Sequence, residues 1–188
     1  LVFGKSGQVA RELQKLEGIV SIDRDQADLA NPEICIKLIN DLMPSAVINA
    51  AAYTSVDLAE KEEKLATQIN GITPGLMAKA CKKQGIPFIF ISSDQVYGKN
   101  TKAIETSKNL KPLNIYGKHK LLCEELVKCY FNKYIIIRTN IIGLNFHNNK
   151  GFIHWILGHL KNNAVVTTFT NYSFHPINAY SLGIIISK

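Results

Sequence analysis

LVFGKSGQVARELQKLEGIVSIDRD, residues 1–25, decides the fold of this chain. Leu1–Phe3 is a short apolar run, glycines follow at 4 and 7, a helix-length segment covers about 7–17, and a second apolar run occupies Gly18–Ile22. Strand, glycine turn, helix and strand in that order are the parts of a βαβ unit. In Gly4-x-x-Gly7-x-x-Ala10, Gly4 permits the tight turn, Gly7 lets backbone approach a pyrophosphate, and small Ala10 lets helix pack closely on strand. Asp23 ends the second strand roughly 20 residues beyond the glycines, where an acid accepts hydrogen bonds from an adenosine ribose. Arg24 beside it could instead greet a 2′-phosphate. The stretch therefore predicts a dinucleotide site, with Asp23 favouring NADH and Arg24 keeping NADPH open.

The alternation continues down the chain. Further apolar runs lie at Ala46–Asn49, Pro87–Ile91 and Tyr134–Ile137, separated by helix-length segments at about 32–43, 57–84 and 115–132. Such a pattern predicts an α/β protein with a Rossmann-type, doubly wound parallel sheet covered on both faces. Beyond Arg138 the pattern loosens, with a helix expected near 151–162, a strand near 164–169 and a turn through His175-Pro176. The chain opens without methionine inside a strand and stops in the apolar run GIIISK, so a fragment of a longer protein is expected.

Composition excludes other classes. Of the 188 residues 46% are hydrophobic and 20% charged, ordinary for a folded globular protein. No apolar stretch approaches the roughly 20 residues of a membrane helix. Cys35, Cys81, Cys123 and Cys129 show no metal-binding spacing, and reduced thiols in a cytoplasmic protein are expected; no metal ligands are assigned. The net charge of +7 comes from scattered lysines without an arginine stripe or stacking aromatics, which speaks against nucleic acid and for a basic surface or an anionic small substrate.

One segment carries proton chemistry. In PLNIYGKHK, residues 112–120, Tyr116 and Lys120 stand four apart at the head of an amphipathic helix, so phenol and ammonium face the same space. A lysine near a tyrosine favours the phenolate and would bring its pKa down toward useful pH. A proton donor to a carbonyl oxygen needs that property.

The run INAAAYTSVDLAE, Ile48 to Glu60, resembles the NAAAxTxVDxAE signature of dTDP-4-dehydrorhamnose reductases, within the extended short-chain dehydrogenase/reductase superfamily. ISSDQVYG and PLNIYGKHK are similar to that family's segments around its catalytic Ser/Thr and Tyr-x-x-x-Lys. The resemblance runs from Leu1 to Lys188. It implies that Gly7, Gln8 and Val9 hold the pyrophosphate, Asp23 the ribose and Asp28 with Leu29 the adenine, while Ala52, Tyr53 and Thr54 line the cofactor. It further implies that Asn70 supports the site, that Ser93 is the catalytic hydroxyl and Tyr116 the acid, and that Lys120 holds the tyrosine's charge state and the nicotinamide ribose. Ser93, Asp94 and Ile141 would meet the substrate. Residues 1–140 would form the NAD(P)-binding domain and 141–188 the start of a truncated substrate-binding portion.

The implied activity is reduction of the 4-keto group of a nucleotide-activated deoxysugar by NADH or NADPH, in polysaccharide biosynthesis. The implied partner is the nucleotide sugar, and the family allows a homodimer. Related dehydratases carry a glutamate beside the aspartate that Asp94 resembles, and Gln95 here cannot ionise. Gln95 also stands where the reductases usually have tyrosine, and Ile141 where they have tryptophan, which leaves the sugar's identity open. Two alternatives follow: an epimerase that keeps NAD bound, and a regulatory subunit resembling the beta subunit of methionine adenosyltransferase.

Overall fold

The structure, a computed structural model, describes residues 1–98, 110–143, 151–168, 170 and 174–188. Strands β1 (Val2–Phe3), β2 (Ser21–Ile22), β3 (Val47–Asn49), β4 (Phe88–Ser93), β5 (Tyr134–Ile142) and β6 (Pro176–Asn178) form one sheet in the order β2-β1-β3-β4-β5-β6. Every pairing is parallel. The winding direction reverses between β1 and β3, and at such a point the loops leaving the carboxyl ends part and open a crevice.

Both faces are covered, as continuous apolar strands require. In β4 every residue is buried: Phe88 and Phe90 join Ile39 of α2 (Pro32–Leu42), Met77 and Cys81 of α5 (Thr73–Gln84) and Val127 of α6 (Ile115–Tyr130). Ile89 and Ile91 point the other way, to Val9, Ala10 and Leu13 of α1 (Gln8–Leu13) and Leu182 of α8 (Ala179–Ser187). The two-residue period of a strand divides the core into these two halves.

Two features depart from the sequence pattern. The helix expected over 57–84 is divided into α3 (Val56–Ala59), α4 (Glu63–Thr67), a π-helical turn at Gln68–Ile72, and α5. At that turn α6 comes so close that a Cβ on Gly71 would lie 3.0 Å from Leu122 Cδ2 and 3.4 Å from the His119 carbonyl. Residues 164–168 form no strand, and 169 lies outside the described residues; helix α7 (Phe152–Lys161) is present as expected. The sixth strand instead begins at Pro176, where a residue without an N–H is tolerated at the sheet edge. Strand β5 runs through residues 140 and 141, and α8 packs on α1, with Leu182 2% exposed. The sheet and its core thus continue past residue 140.

All four cysteines are free, three buried and Cys129 exposed. Among the described residues no helix is long and apolar enough to cross a membrane.

Candidate active site

The turn after β1 meets the turn after β3 at the sheet's reversal. Gly4 has φ +99°, and a Cβ there would lie 2.8 Å from the Ala51 nitrogen, so only glycine fits. The Gly7 N–H donates to the Gly4 carbonyl at 2.8 Å, which closes the turn. Val9 is buried in the core and offers only backbone to the crevice. Gln8 reaches the far side: its Oε1 is buried without a hydrogen-bond partner, and a Cβ on Gly143 would lie 2.6 Å from it.

At the end of β2, Asp23 Oδ1 accepts the Gln26 N–H at 3.0 Å, and its Oδ2 lies 3.7 Å from Lys5 Nζ. Arg24 does not turn to Asp23 but donates through Nε to Asp28 Oδ2 at 2.9 Å. The cation beside Asp23 is therefore Lys5, from the glycine turn. Burial pushes the Asp28 carboxyl up, but the Ala30 N–H and Arg24 outweigh it and hold the group below its usual range. Leu29 is buried, and its carbonyl accepts the Thr73 hydroxyl at 2.6 Å.

The Ala52–Thr54 loop is held by one amide. Asn70, buried in the π turn, accepts the Tyr53 N–H at 2.8 Å and donates to the Tyr53 carbonyl at 3.0 Å. Both backbone groups of a crevice-lining residue are thus satisfied by a side chain from a distant helix. Single π turns recur at functional sites because the inserted residue redirects such a side chain.

Ser93, Asp94, Tyr116 and Lys120 converge at the end of β4. The Ser93 hydroxyl donates to Asp94 Oδ1 and accepts the Gln95 N–H, each at 3.2 Å, and lies near enough to the Tyr116 phenol to lower its pKa. Asp94 Oδ2 accepts from Asn140 Nδ2 at 2.9 Å. Burial and the charge of Asp94 push the Tyr116 phenol up to about 12, against the lowering effect of Ser93. The spacing argument expected the opposite sign. Lys120 Nζ donates to the Ile91 carbonyl at 2.9 Å, stands 4.6 Å from the Phe90 ring centre and 5.9 Å from that of Tyr116. Its ammonium is spent on backbone and aromatic faces, while burial lowers its own pKa to about 8 against the raising effects of Cys123 and Glu124.

Ile141 does not join this group. It packs with Ile137 on the α1 and α8 half of the core, whereas Arg138 and Asn140, one residue out of phase, face Glu124 and Asp94.

Several site residues escaped the sequence argument. Glu60, the last residue of the NAAAYTSVDLAE run, accepts the Ile115 N–H at 2.9 Å and satisfies an orphan donor at the head of α6. Asn114 caps the same helix through the Gly117 N–H at 2.7 Å and donates to Gln95 Oε1 at 2.6 Å. Beneath the site, buried Glu124 accepts from Ser92, Arg138 and Lys128. Spacing could have found Glu124, which lies one turn beyond Lys120 on the same face. Partners on other elements had no local signal.

The family model described as RmlD substrate binding domain matches residues 1–186. A dTDP-4-dehydrorhamnose reductase of Burkholderia thailandensis is 39% identical over 156 residues, covering 78% of this chain and 52% of its own length. The chain thus spans about half the length of that relative. Two solved structures superpose on 99% of the chain and 68% of their own. One is a dTDP-4-dehydrorhamnose reductase of Clostridium acetobutylicum, with 30% identity and a TM-score of 0.90. The other is that of Bacillus anthracis in complex with NADP, with 29% identity and a TM-score of 0.89.

Proposed function

The chain belongs to the RmlD substrate binding domain family, that of the dTDP-4-dehydrorhamnose reductases, and from that premise we propose that the intact protein reduces the 4-keto group of a nucleotide-activated deoxysugar. The observation that carries this reading is the meeting of Ser93 and Tyr116 at one strand end with Lys120 behind them. The favoured substrate is dTDP-4-dehydrorhamnose, in cytoplasmic polysaccharide biosynthesis. Residues 1–140 would hold the dinucleotide, and 141–188 would lead into the substrate-binding portion.

The crevice suits a nicotinamide dinucleotide. Gly4 leaves open backbone where any side chain would collide, a Cβ on Gly7 would press to 3.2 Å on the Gly4 carbonyl, and the buried Gln8 Oε1 lacks a partner. Gly7, Gln8 and Val9 would hold the pyrophosphate through backbone, Asp23 the ribose, and Ala52, Tyr53 and Thr54 the wall beside β3. When bound, the reduced cofactor supplies the hydride.

The chain's own residues supply the rest. Tyr116 would direct its hydroxyl at the carbonyl oxygen, where negative charge develops, and the Ser93 proton would turn there from Asp94 Oδ1. At neutral pH Tyr116 is a phenol, loaded with the proton it gives up. Lys120, charged below about pH 8, offsets the phenolate that remains. Gln95 bears no charge and is tied to Asn114, so position 95 offers no base of the kind a dehydratase requires.

Asp23 favours NADH, and Lys5 at 3.7 Å leaves NADPH acceptable. The full-length protein, offered a panel of 4-keto-6-deoxy nucleotide sugars, should consume one NADH per sugar reduced. Interconversion of sugars without loss of NADH would replace the reductase with an epimerase. Inertness toward the whole panel, together with a stable protein partner, would favour a regulatory subunit.

A further inference from the structure

Beneath the proposed site lies an ion pair that the mechanism does not use. Glu124, on α6, is fully buried, yet it is charged: Arg138 grips its carboxylate through Nε at 3.0 and 3.2 Å and through Nη2 at 2.7 Å, Ser92 donates to Oε1 at 2.7 Å, and Lys128 lies 3.4 Å from Oε2. Arg138 also stands over the Tyr97 ring, 5.5 Å from its centre. Burying such a pair seldom adds net stability, because desolvation offsets the attraction. Its placement suggests another use.

Each member is adjacent to a residue of the proposed site on a different element. Ser92 precedes Ser93 on β4, Glu124 lies one turn from Lys120 on α6, and Arg138 lies two residues before Asn140, which holds Asp94. One carboxylate therefore ties together the three elements that carry Ser93, Lys120 and the support of Asp94. We propose that Glu124, clamped by Arg138, is a positioning residue that keeps these elements in register and sets the charge carried by Lys120. Its bearing on reduction rests on the function proposed above; its effect on Lys120 does not.

Among the described residues the groups facing Lys120 are few. Tyr116, Cys123 and Glu124 lie on its own helix, and β4 presents the Phe90 ring and the Ile91 carbonyl. Asp94 acts on Tyr116, while Arg138 from β5 is turned to Glu124. Cys123 is itself pushed well above its ordinary range by burial and stays a neutral thiol. Glu124 is thus the anion that favours the ammonium. Burial pushes its own carboxyl up, but Arg138 and Ser92 outweigh this and keep it ionised.

The test uses full-length protein labelled with 13C at lysine Cε, with the Lys120 resonance assigned by its loss in Lys120→Met. In the wild type Lys120 should titrate near 8, and in Glu124→Gln about one pH unit lower. Glu124→Gln removes the carboxylate that Arg138 grips, so Glu124→Gln/Arg138→Gln provides a neutral pair should the single variant fail to fold. It too should lower the midpoint. A midpoint unchanged in a folded variant would overturn the proposal. With an active enzyme, the basic limb of kcat/KM against pH should move with the resonance, whereas a merely structural role would lower the whole profile without moving the limb. A shifted resonance in a protein inert to every sugar would sink the proposed function and leave this inference standing.

Discussion

The carbonyl oxygen of Gln95 lies only 2.3 Å from where a Cβ on Gly117 would stand, and Pro112 Cβ lies 2.9 Å from it. The glycine between Tyr116 and Lys118 is thus required by the 94–96 turn, which presses against the head of α6. Gly117→Ala should force that turn outward and destabilise the fold by about 1–3 kcal/mol, the usual cost of overpacking. Denaturant unfolding measures this, and a change within experimental error would mean the turn yields freely.

Tyr116→Phe should lower kcat by about 10²–10⁴ while dinucleotide affinity stays within a few fold, since the hydroxyl acts on the transition state. Single-turnover reduction beside a cofactor titration separates the two effects. Near-normal turnover in the variant would remove Tyr116 from the role of proton donor.

Lys120 is held in the fold with a pKa near 8, against an ordinary value of 10.5. Between those values the unfolded chain binds the extra proton, so the contribution of Lys120 to stability rises with pH from about 8 to 10.5. Cys35, Cys81, Cys123 and Tyr116, all held above their ordinary values by burial, contribute the opposite trend above pH 9 to 10, so the difference between wild type and a Lys120 variant isolates the lysine. Below 8 the buried ammonium costs the fold roughly 3 kcal/mol. Lys120→Met should therefore match or exceed wild-type stability at pH 7, and its advantage should shrink as pH rises above 8, while reduction and dinucleotide binding are lost. Thermal or denaturant unfolding across pH 6–10 checks it. A strongly destabilised variant at pH 7 would mean that the Ile91 contact outweighs the desolvation.

Asp23→Ala should shift kcat/KM toward NADPH, because the carboxylate that repels a 2′-phosphate is gone. Lys5→Ala should shift it toward NADH. Arg24→Ala should change the ratio less than Lys5→Ala, given that Arg24 is engaged by Asp28. A larger effect at Arg24 would show that its ion pair opens when cofactor binds.

The sequence by itself determined what depends on period and local sterics. Alternating apolar runs called for a parallel sheet with helices on both faces, and the spacing of Gly4 and Gly7 called for the turn after β1. Four-residue spacing put Tyr116 and Lys120 on one helix face, and the motif resemblance marked Ser93 beside them. These properties are carried by neighbours in the chain, so they survive without knowledge of the rest.

Tertiary structure decided whatever depends on groups far apart in sequence. The sign of the Tyr116 shift was one case: spacing supplied an ammonium, but burial and Asp94 prevail once the elements close around the phenol. The face of Ile141 was another, since a strand reverses orientation at every residue and only its register in the sheet fixes the side. The same holds for β6 and α8, whose weak local patterns become strand and helix by packing on β5 and α1. It holds also for Glu60 and Glu124, each an ordinary polar residue in sequence, and for the choice of the Tyr53 backbone as the partner of Asn70. Their roles arise because a buried backbone group or charge must find a partner, and folding brings that partner from tens of residues away.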